Sequence, residues 1–357
     1  MGKFKKAINK FVNLFFYYLG FYYILRFINR KKIRVLMYHG VDDRQTDFIL
    51  DDPSLVISTK NFEEQIKYLS KSYNIISTHD LAAHIKKEIP FPSNSAVITF
   101  DDGLKNNFVN AFPILQKYDA KATVFLITDY IDTLKISWSN KFYFFINKIG
   151  LDEFVEEFER EFPAYSNLIE KIGQKNITEN INFILKYKVD DNIKEKFIQG
   201  LYNKFRIKIN KKEIKDLYLS WKEIKKMADA GISFGSHTST HPVLSTLNYE
   251  KAKKEIVDSK QNIEAKLNKK INLFAYPYGD KDSFDLNNKK ILINYNFLCA
   301  VSTIEGFNNL NSDLYELKRI SIVDEPFYYF KLRIEGLEGL IEKIQHKVYR
   351  YFKRIKY

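Results

Sequence analysis

Cysteine is almost absent from this chain of 357 residues, which contains only Cys299. A single thiol cannot form an intramolecular disulfide, and its place in the apolar run "FLCAVS" predicts a buried strand. The core must therefore hold the fold, and a chain of this length can bury a full core without cross-links. The composition fits a reducing compartment, or an exported protein that needs no disulfides.

A long uninterrupted apolar run is also missing. The most apolar stretch, residues 11–28, is near the minimum length for a spanning helix, and Asn13 and Arg26 interrupt it. It has no small-residue cleavage site, which argues against a removable signal peptide. Because Phe and Tyr outnumber Leu and Ile, the stretch suits the headgroup boundary of a membrane better than the hydrocarbon centre.

Acidic residues are missing from the amino-terminal segment. Residues 1–32 carry eight Lys and Arg with no acid, and residues 327–357 carry eight against three Glu. These two segments account for the whole net charge of +13, so the net charge of residues 33–326 is zero. The basicity belongs to the ends of the chain, and the body gives no indication of a nucleic-acid partner.

The carboxyl-terminal segment, residues 327–357, is predicted to be a basic amphipathic helix. Its apolar side chains recur at helical spacing with Lys and Arg between them. These are Leu337, Leu340, Ile341, Ile344, Val348, Tyr351, Phe352 and Ile355. Such a helix either lies on an anionic membrane or packs its apolar stripe on the domain.

Because both ends are built alike, we expect segments 1–32 and 327–357 to associate with a membrane surface in a bacterial cell envelope. Basic residues flank the amino-terminal segment on both sides, so the charge pattern leaves the membrane face open, the cytoplasmic face included. No obligate protein partner is indicated.

The body of the chain alternates short apolar runs with helical periods. This alternation argues for parallel strands joined by helices. The predicted strands are "IRVLMYH" (33–39), "AVITF" (96–100), "KATVFLI" (121–127), "ISFGS" (232–236), "INLFAY" (271–276), "NFLCAVS" (296–302) and "LKRISI" (317–322). We therefore expect a small α/β barrel with its chemistry at the carboxyl-terminal ends of the strands.

The alternation is interrupted from about residue 131 to 217. This stretch is rich in Lys, Glu, Asn, Ile and Phe, and helical periods such as Phe154, Phe158 and Phe162 run through it. We interpret it as a mostly helical insertion into a domain that spans residues 33–326.

Polar residues stand at three strand ends where packing does not require them. Asp101 and Asp102 follow "VITF", His237 and His241 follow "ISFGS", and His39 follows "VLMY". If residues 237–241 form one helical turn, the two imidazoles lie on the same side. Two imidazoles and one carboxylate make a three-ligand site that leaves a position for water, the usual arrangement of catalytic zinc. The alternative is that each His caps a loop and that Asp102 caps a helix beginning near Leu104.

The motifs "TFDDG" and "SHTSTHP" resemble those of the polysaccharide deacetylase family, also called the NodB-homology family or carbohydrate esterase family 4. The resemblance covers residues 33–130 and 218–325 and implies a distorted (β/α)7 barrel. It implies that Asp101 is the general base and that Asp102, His237 and His241 bind one divalent metal ion. Zinc is the default, and such a site also accepts cobalt or nickel.

The third family motif is matched only in part. In "AYPYG" (275–279), Pro277 and Tyr278 match, and the resemblance implies that the Tyr278 backbone N–H helps to bind the oxyanion. The family places at position 275 an Arg that steadies the base, whereas this chain has Ala275. We expect another cation, such as Arg319, to take over that task.

The late histidine motif that supplies the family's general acid is absent from this sequence. "VLMYHGV" is similar to the first motif of a subgroup that acts on exported amino-sugar polymers, and we therefore expect His39 to protonate the leaving amine or to contact substrate. The stretch "SDLYELKRISI" is similar to the family's last strand, which implies that Asp313 and Arg319 support the site.

These observations predict a metal-dependent hydrolase that removes the N-acetyl group from amino sugars in a surface polysaccharide or its lipid-linked precursor. Its partners would be an N-acetylated glycan and a membrane surface. Two alternatives stay open: an O-deacetylase of a polysaccharide ester, and a degenerate membrane-associated module that binds or assembles glycans. A zincin-like protease is disfavoured, because Thr238 stands where that motif needs Glu.

Overall fold

Seven parallel strands close into a barrel in the computed structural model, which describes residues 13–43, 55–166, 177–337 and 339–340. In chain order the strands are β1 (Arg34–Tyr38), β2 (Gly40–Val41), β3 (Val56–Ile57), β4 (Asn74–Ile75), β5 (Ser95–Phe100), β6 (Thr123–Leu126), β7 (Ser233–Ser236), β8 (Leu273–Ala275), β9 (Cys299–Glu305) and β10 (Leu317–Ser321). The ring runs β1-β5-β6-β7-β8-β9-β10 and returns to β1. The expected distorted (β/α)7 barrel is confirmed.

The seven ring strands are the seven runs predicted from the sequence. Their apolar character follows from burial on both faces, since every residue of β1 and β5 is buried. The sequence did not indicate the three shorter strands. β4 pairs with the first two residues of β5. β2 pairs with β3 in a separate two-stranded parallel sheet.

Thirteen α-helices lie wholly within the described ranges. They are α1 (Phe21–Ile28), α2 (Thr59–Ser72), α3 (Thr78–Lys86), α4 (Phe112–Lys117), α5 (Trp138–Ile149), α6 (Leu151–Glu161), α7 (Ile177–Tyr187), α8 (Asp191–Phe205), α9 (Lys211–Lys215), α10 (Trp221–Asp229), α11 (Tyr249–Leu267), α12 (Leu286–Asn294) and α13 (Phe327–Ile334). Ser220 and Glu223 form a capping box at the start of α10.

Helices α5 to α9 occupy the stretch predicted as a helical insertion. They pack around an apolar cluster of their own, in which Phe142, Phe145, Phe154 and Phe158 are fully buried. The cluster meets the barrel through Leu104 and side chains that follow β6. The division of the chain into segments at residues 33, 131, 217 and 326 stays a prediction.

The two terminal segments pack against each other beside the barrel. Tyr22 and Leu25 of α1 form a small buried cluster with Leu332 and Leu337. Glu335, fully buried, accepts hydrogen bonds from Arg26 at 2.8 Å and from Arg34 at the start of β1 at 2.5 Å. These contacts tie both segments to the barrel.

Neither terminal segment forms one continuous helix within the described residues. Gly20, with φ 67°, separates α1 from the helical residues before it, and Gly336, with φ 85°, follows the end of α13. The expectation of a single helix from residue 327 is therefore wrong for its first part, and residues 341–357, like residues 1–12, lie outside the description. Among the described helices, none has the length and apolarity needed to cross a bilayer.

Candidate active site

Asp101 and Asp102 lie where β5 ends and the chain turns sharply. The Asp101 N–H donates to the Tyr38 carbonyl at 3.0 Å, which extends the pairing of β5 with β1 by one residue. Asp102 and Gly103 then adopt left-handed conformations, with φ of 71° and 64°. A Cβ on Gly103 would stand 2.7 Å from the Leu126 side chain, so only glycine fits without displacing it. The turn points the two carboxylates in different directions.

His237 and His241 follow β7 in a loop and do not form the helical turn on which their expected proximity depended. Thr238 and His241 have φ of 67° and 62°, values incompatible with a right-handed helix. The His241 N–H donates to Thr238 Oγ1 at 3.0 Å, which closes the loop. The two rings are nevertheless brought together, with centroids 4.8 Å apart.

Glu255 of α11 holds this loop from outside. Its carboxylate accepts hydrogen bonds from the backbone N–H groups of Ser239 and Thr240, at 3.0 and 2.9 Å, and from the Thr240 hydroxyl at 2.8 Å. Burial raises the pKa of Glu255, and these donors counteract part of the rise. No motif in the sequence points to this residue.

Asp102, His237 and His241 converge on one point. Their ligand atoms lie within 4.8 Å of one another, and Asp102 Oδ1 is 3.5 Å from His237 Nε2 and 3.6 Å from His241 Nε2. That oxygen is buried and has no hydrogen-bond partner in the described part of the chain. A buried carboxylate oxygen without a donor is costly, and a cation between it and two imidazole nitrogens would satisfy it.

The second nitrogen of His237 fixes its orientation. Nδ1 lies 2.7 Å from the Ala275 carbonyl, and because a carbonyl can only accept, Nδ1 carries the proton. The lone pair of Nε2 then faces Asp102 and His241, as a metal ligand requires. The donor set thus fits the single divalent ion that the sequence predicts.

The electrostatics of His241 and Asp102 also favour a cation. Burial, with the neighbouring His237, lowers the pKa of His241 to about 3, so its imidazole is neutral and can bind metal. Burial alone would raise the pKa of Asp102, but the surrounding histidines outweigh that effect and the pKa lies well below its ordinary value. A carboxylate and a neutral imidazole are the protonation states that metal binding needs.

Arg319 of β10 lies directly on Asp101. Its guanidinium donates from Nη1 to Oδ1 at 2.8 Å and from Nη2 to Oδ2 at 2.6 Å, while Nε donates to the Ser302 carbonyl at 2.7 Å. Burial would raise the pKa of Asp101, but the attraction of Arg319 overcomes it and the pKa falls below the ordinary value. Arg319 is thus a buried cation in direct contact with Asp101, where a replacement for the family's Arg was expected.

His39 and Tyr278 lie beside the residues described so far. His39 follows β1, its carbonyl accepts a hydrogen bond from Asn107 at 2.7 Å, and its buried Nδ1 has no partner among the described residues. Tyr278, with φ 62°, follows β8 and stacks edge-on against His241 at 4.7 Å. Pro277 is buried in the turn just before it.

Asp313 is the one predicted site residue that lies elsewhere. It precedes β10, at the opposite end of the strand from the site, and its carboxylate accepts from Lys289 Nζ at 2.9 Å and from the Tyr315 N–H at 2.8 Å. The expectation that Asp313 supports the site is therefore wrong, because the carboxylate is exposed and already paired with neighbours at the amino-terminal end of the barrel.

A cavity of about 400 Å³ opens above these residues. Residues of the barrel form its floor, and residues of the helical insertion form one wall. The wall comprises Ser139, Tyr143, Glu179, Asn182, Phe183, Lys186 and Tyr187. The cavity holds a second carboxylate, Asp101, beside the candidate cation site, which is the arrangement needed to activate water for attack on a carbonyl carbon.

Comparisons with known proteins agree with this geometry. The sequence profile of the family described as "Polysaccharide deacetylase" matches residues 88–292, more than half of the chain. YxkH of Bacillus subtilis, whose name assigns it to the polysaccharide deacetylases, is 21% identical over 292 residues, which cover 82% of this chain and 71% of that protein. A poly-β-1,6-N-acetyl-D-glucosamine N-deacetylase of Staphylococcus aureus is 39% identical over 75 residues, 21% of this chain and 26% of that protein.

Solved structures share the fold. The Streptococcus pyogenes deacetylase PplD, in complex with acetate, superposes with a TM-score of 0.56 at 21% identity, covering 85% of this chain and 98% of that one. The Bacillus cereus polysaccharide deacetylase BC0361 gives a TM-score of 0.53 at 24% identity over 85% and 69% of the two chains. The chain therefore belongs to the polysaccharide deacetylase family, hydrolases that act on the carbon–nitrogen bond of N-acetyl groups.

Proposed function

We propose that this protein is a metal-dependent N-deacetylase of amino sugars in a surface polysaccharide or its lipid-linked precursor. The observation that carries the proposal is that the two adjacent carboxylates, Asp101 and Asp102, have different partners. Asp102 faces two imidazole nitrogens, whereas Asp101 is held away from them by Arg319. One carboxylate is thus available to a cation and the other to a proton.

A divalent ion bound by Asp102, His237 and His241 would supply Lewis acidity, lowering the pKa of a bound water and polarising the acetyl carbonyl. Asp101 is proposed to accept the proton of the attacking water at a carboxylate oxygen. Arg319 keeps Asp101 ionised and fixes its plane through two hydrogen bonds.

Two further roles, general acid and oxyanion binding, are proposed for His39 and Tyr278. His39 is proposed to donate a proton to the leaving amine, since its half-buried ring lines the same cavity as Asp101. The backbone N–H of Tyr278 is proposed to donate to the acetyl oxygen as negative charge develops on it. The amide bond to the sugar nitrogen then breaks, and acetate and a free amine are released.

The N-acetylated substrate is supported by two relatives. One is named for the N-deacetylation of poly-β-1,6-N-acetyl-D-glucosamine, and the other was solved with acetate. Both acetate and an amino sugar are products of the reaction proposed here.

The test is acetate release from an oligomer of N-acetylglucosamine, compared for the wild-type chain and Asp101→Asn after loading with zinc. We expect turnover by the wild type and a loss of about 10²–10⁴-fold in the variant. Zinc bound per chain should be equal in both, because Asp101 is not a proposed ligand. Zinc binding without turnover by the wild type would contradict the proposal and favour a glycan-binding module. Turnover confined to acetyl esters would favour the O-deacetylase alternative.

We also propose that the protein rests on an anionic membrane through one face of its amino-terminal segment. The buried side of α1 packs on the carboxyl-terminal segment, but its other side leaves large apolar residues more than half exposed. These are Tyr23, Ile24, Phe27 and Ile28, joined by Phe15, Tyr18 and Leu19 from the preceding turns. An apolar face of this size is typical of an interaction surface.

The charge of the flanking chain supports lipid as the occupant. Residues 1–12 carry four Lys and no acid, and residues 341–357 carry six Lys and Arg against one Glu. Segments of this kind are attracted to anionic headgroups next to an inserted apolar face.

Sedimentation with vesicles tests this surface. We expect the whole chain to bind vesicles containing phosphatidylglycerol more tightly than pure phosphatidylcholine, and the variant Tyr23→Ser/Phe27→Ser to lose at least about tenfold in affinity. Leu286→Ser, which changes an exposed apolar residue on α12, is the matched control. Equal binding by all three chains would contradict the proposal.

A further inference from the structure

Helix α7 of the insertion presents one face to the active-site cavity. The five residues that line the cavity recur every three or four positions, which places them on one side of a helix. They are Glu179, Asn182, Phe183, Lys186 and Tyr187. The opposite side, with Ile181, Ile184 and Leu185, is buried in the core of the insertion. The orientation of α7 is therefore set by its own apolar stripe.

Contacts across the cavity hold α7 against the loop that follows β8. Lys186 Nζ lies 3.9 Å from the centre of the Tyr278 ring, and the Tyr187 hydroxyl donates to the Asp280 carboxylate at 2.8 and 3.0 Å. Ser139 Oγ of α5 lies 3.2 Å from the Tyr278 hydroxyl. The insertion is thus fixed beside His241 and the other site residues.

Two aromatic rings on this face form a platform. The rings of Phe183 and Tyr187 lie 4.9 Å apart, and Phe183 is 49% exposed. Leaving a large apolar ring in water at the wall of a cavity has a cost, which is recovered when an apolar surface covers it. The C–H face of a pyranose is such a surface, and it leaves the sugar hydroxyls free to meet polar neighbours.

One polar residue of the cavity wall, Asn182, has an unsatisfied hydrogen-bond acceptor. Asn182 Oδ1, next to Phe183 in the cavity wall, is buried and has no hydrogen-bond partner within the described ranges. A buried acceptor of this kind is satisfied by a donor from outside the protein, such as a sugar hydroxyl.

We propose that α7 is a glycan-binding wall: Phe183 and Tyr187 stack on a sugar ring adjoining the one that is deacetylated, and Asn182 binds one of its hydroxyls. The inference deepens the proposed function, because it makes the ligand an oligosaccharide or polymer and assigns its neighbouring unit to the insertion.

Calorimetry with N-acetylglucosamine and its pentasaccharide tests the wall, using zinc-loaded chains in an Asp101→Asn background so that no turnover occurs. We expect the background chain to bind the pentasaccharide more tightly than the monosaccharide. Adding Phe183→Ala should raise the pentasaccharide Kd about tenfold and bring it close to the monosaccharide value, and Phe183→Tyr should retain most of the affinity. Ile193→Ala removes an exposed apolar side chain of α8 that does not line the cavity and should leave the Kd unchanged.

The two proposals fail in different ways. An unchanged pentasaccharide Kd in Phe183→Ala, or no pentasaccharide binding at all, overturns the glycan-binding wall even if the wild type releases acetate. A Kd raised by Phe183→Ala supports the wall even where the wild type releases no acetate, in which case the proposed reaction is the part that fails. Zinc content and melting temperature, measured on each variant, show that the changes are local.

Discussion

At Asp101 two hydrogen bonds of 2.8 and 2.6 Å join a carboxylate to the guanidinium of Arg319, and both side chains are buried. The geometry restrains the carboxylate in its plane as well as lowering its pKa. Family resemblance places the corresponding Arg at position 275, the last residue of β8, whereas here it comes from β10. The strand that supplies the cation differs, but the group it serves does not.

Substitution of Arg319 separates its charge from its shape. Arg319→Lys retains the charge but loses the paired hydrogen bonds, so we expect kcat to fall by about tenfold to a hundredfold. Arg319→Met leaves Asp101 buried without a partner and should also destabilise the fold by about 3–5 kcal/mol. Acetate release and urea unfolding measure the two effects. A Lys variant with wild-type kcat would contradict a positioning role.

Cys299 gives a second prediction at this scale. It lies in β9, 1% exposed, and burial raises the pKa of its thiol to about 12. Since the thiolate is the reactive form, the folded protein should not react with a thiol reagent at pH 8. Reaction should appear only when urea unfolds the chain. Rapid labelling of the native protein would show that β9 opens or is less deeply buried.

Among the elements, the loop after β7 depends on a neighbouring helix. Its left-handed residues carry a conformational cost, and three hydrogen bonds to Glu255 of α11 offset that cost. Glu255 does not face the cavity, so its effect on the site runs through the position of His237 and His241.

We expect Glu255→Ala to weaken zinc binding by about 10–100-fold, the size of effect seen when the groups that orient metal ligands are removed. The free energy of unfolding of the zinc-free chain should also fall, by about 1–3 kcal/mol. Competition with a chelator and thermal unfolding give the two numbers. Glu250→Ala, on the exposed side of the same helix, is the control. Zinc affinity equal to that of wild type would rule out a positioning role for Glu255.

The elements also mark what the sequence could and could not predict. The seven barrel strands were predictable because most of their residues are buried, which gives each a short apolar run. The site residues were predictable because they stand where such runs end. The loop of His237 was expected to be helical from its spacing alone, but spacing does not report the left-handed conformations at Thr238 and His241. The cavity face of α7 has a clear helical period, but the period does not indicate which other element that face lies against.

For the whole molecule, Glu335 is the point where separate parts of the chain join. It accepts hydrogen bonds from Arg26 of α1, Arg34 of β1 and the Tyr73 hydroxyl, and it follows α13 directly. The terminal segments are thus connected to the barrel by charge as well as by apolar contact. From the sequence alone, this Glu contributes only to the charge balance of a predicted surface helix.

Replacing Glu335 with Gln should lower the free energy of unfolding by about 3–5 kcal/mol, because it leaves Arg34 buried without a counter-charge. The measurement is the urea midpoint of the whole chain. Glu63→Gln breaks an exposed pair with Lys117 and should not move the midpoint measurably. A small change in Glu335→Gln would mean that the terminal segments are held by their apolar contacts alone.

The barrel keeps its two ends apart. Asn94, one residue before β5, donates to the Arg30 carbonyl just beyond α1, whereas Asp101 follows the other end of that strand. Six strand residues separate these levels by roughly 20 Å. The lipid contact proposed for α1 would therefore involve the end of β5 remote from Asp101, so that membrane binding would leave the cavity open to a glycan.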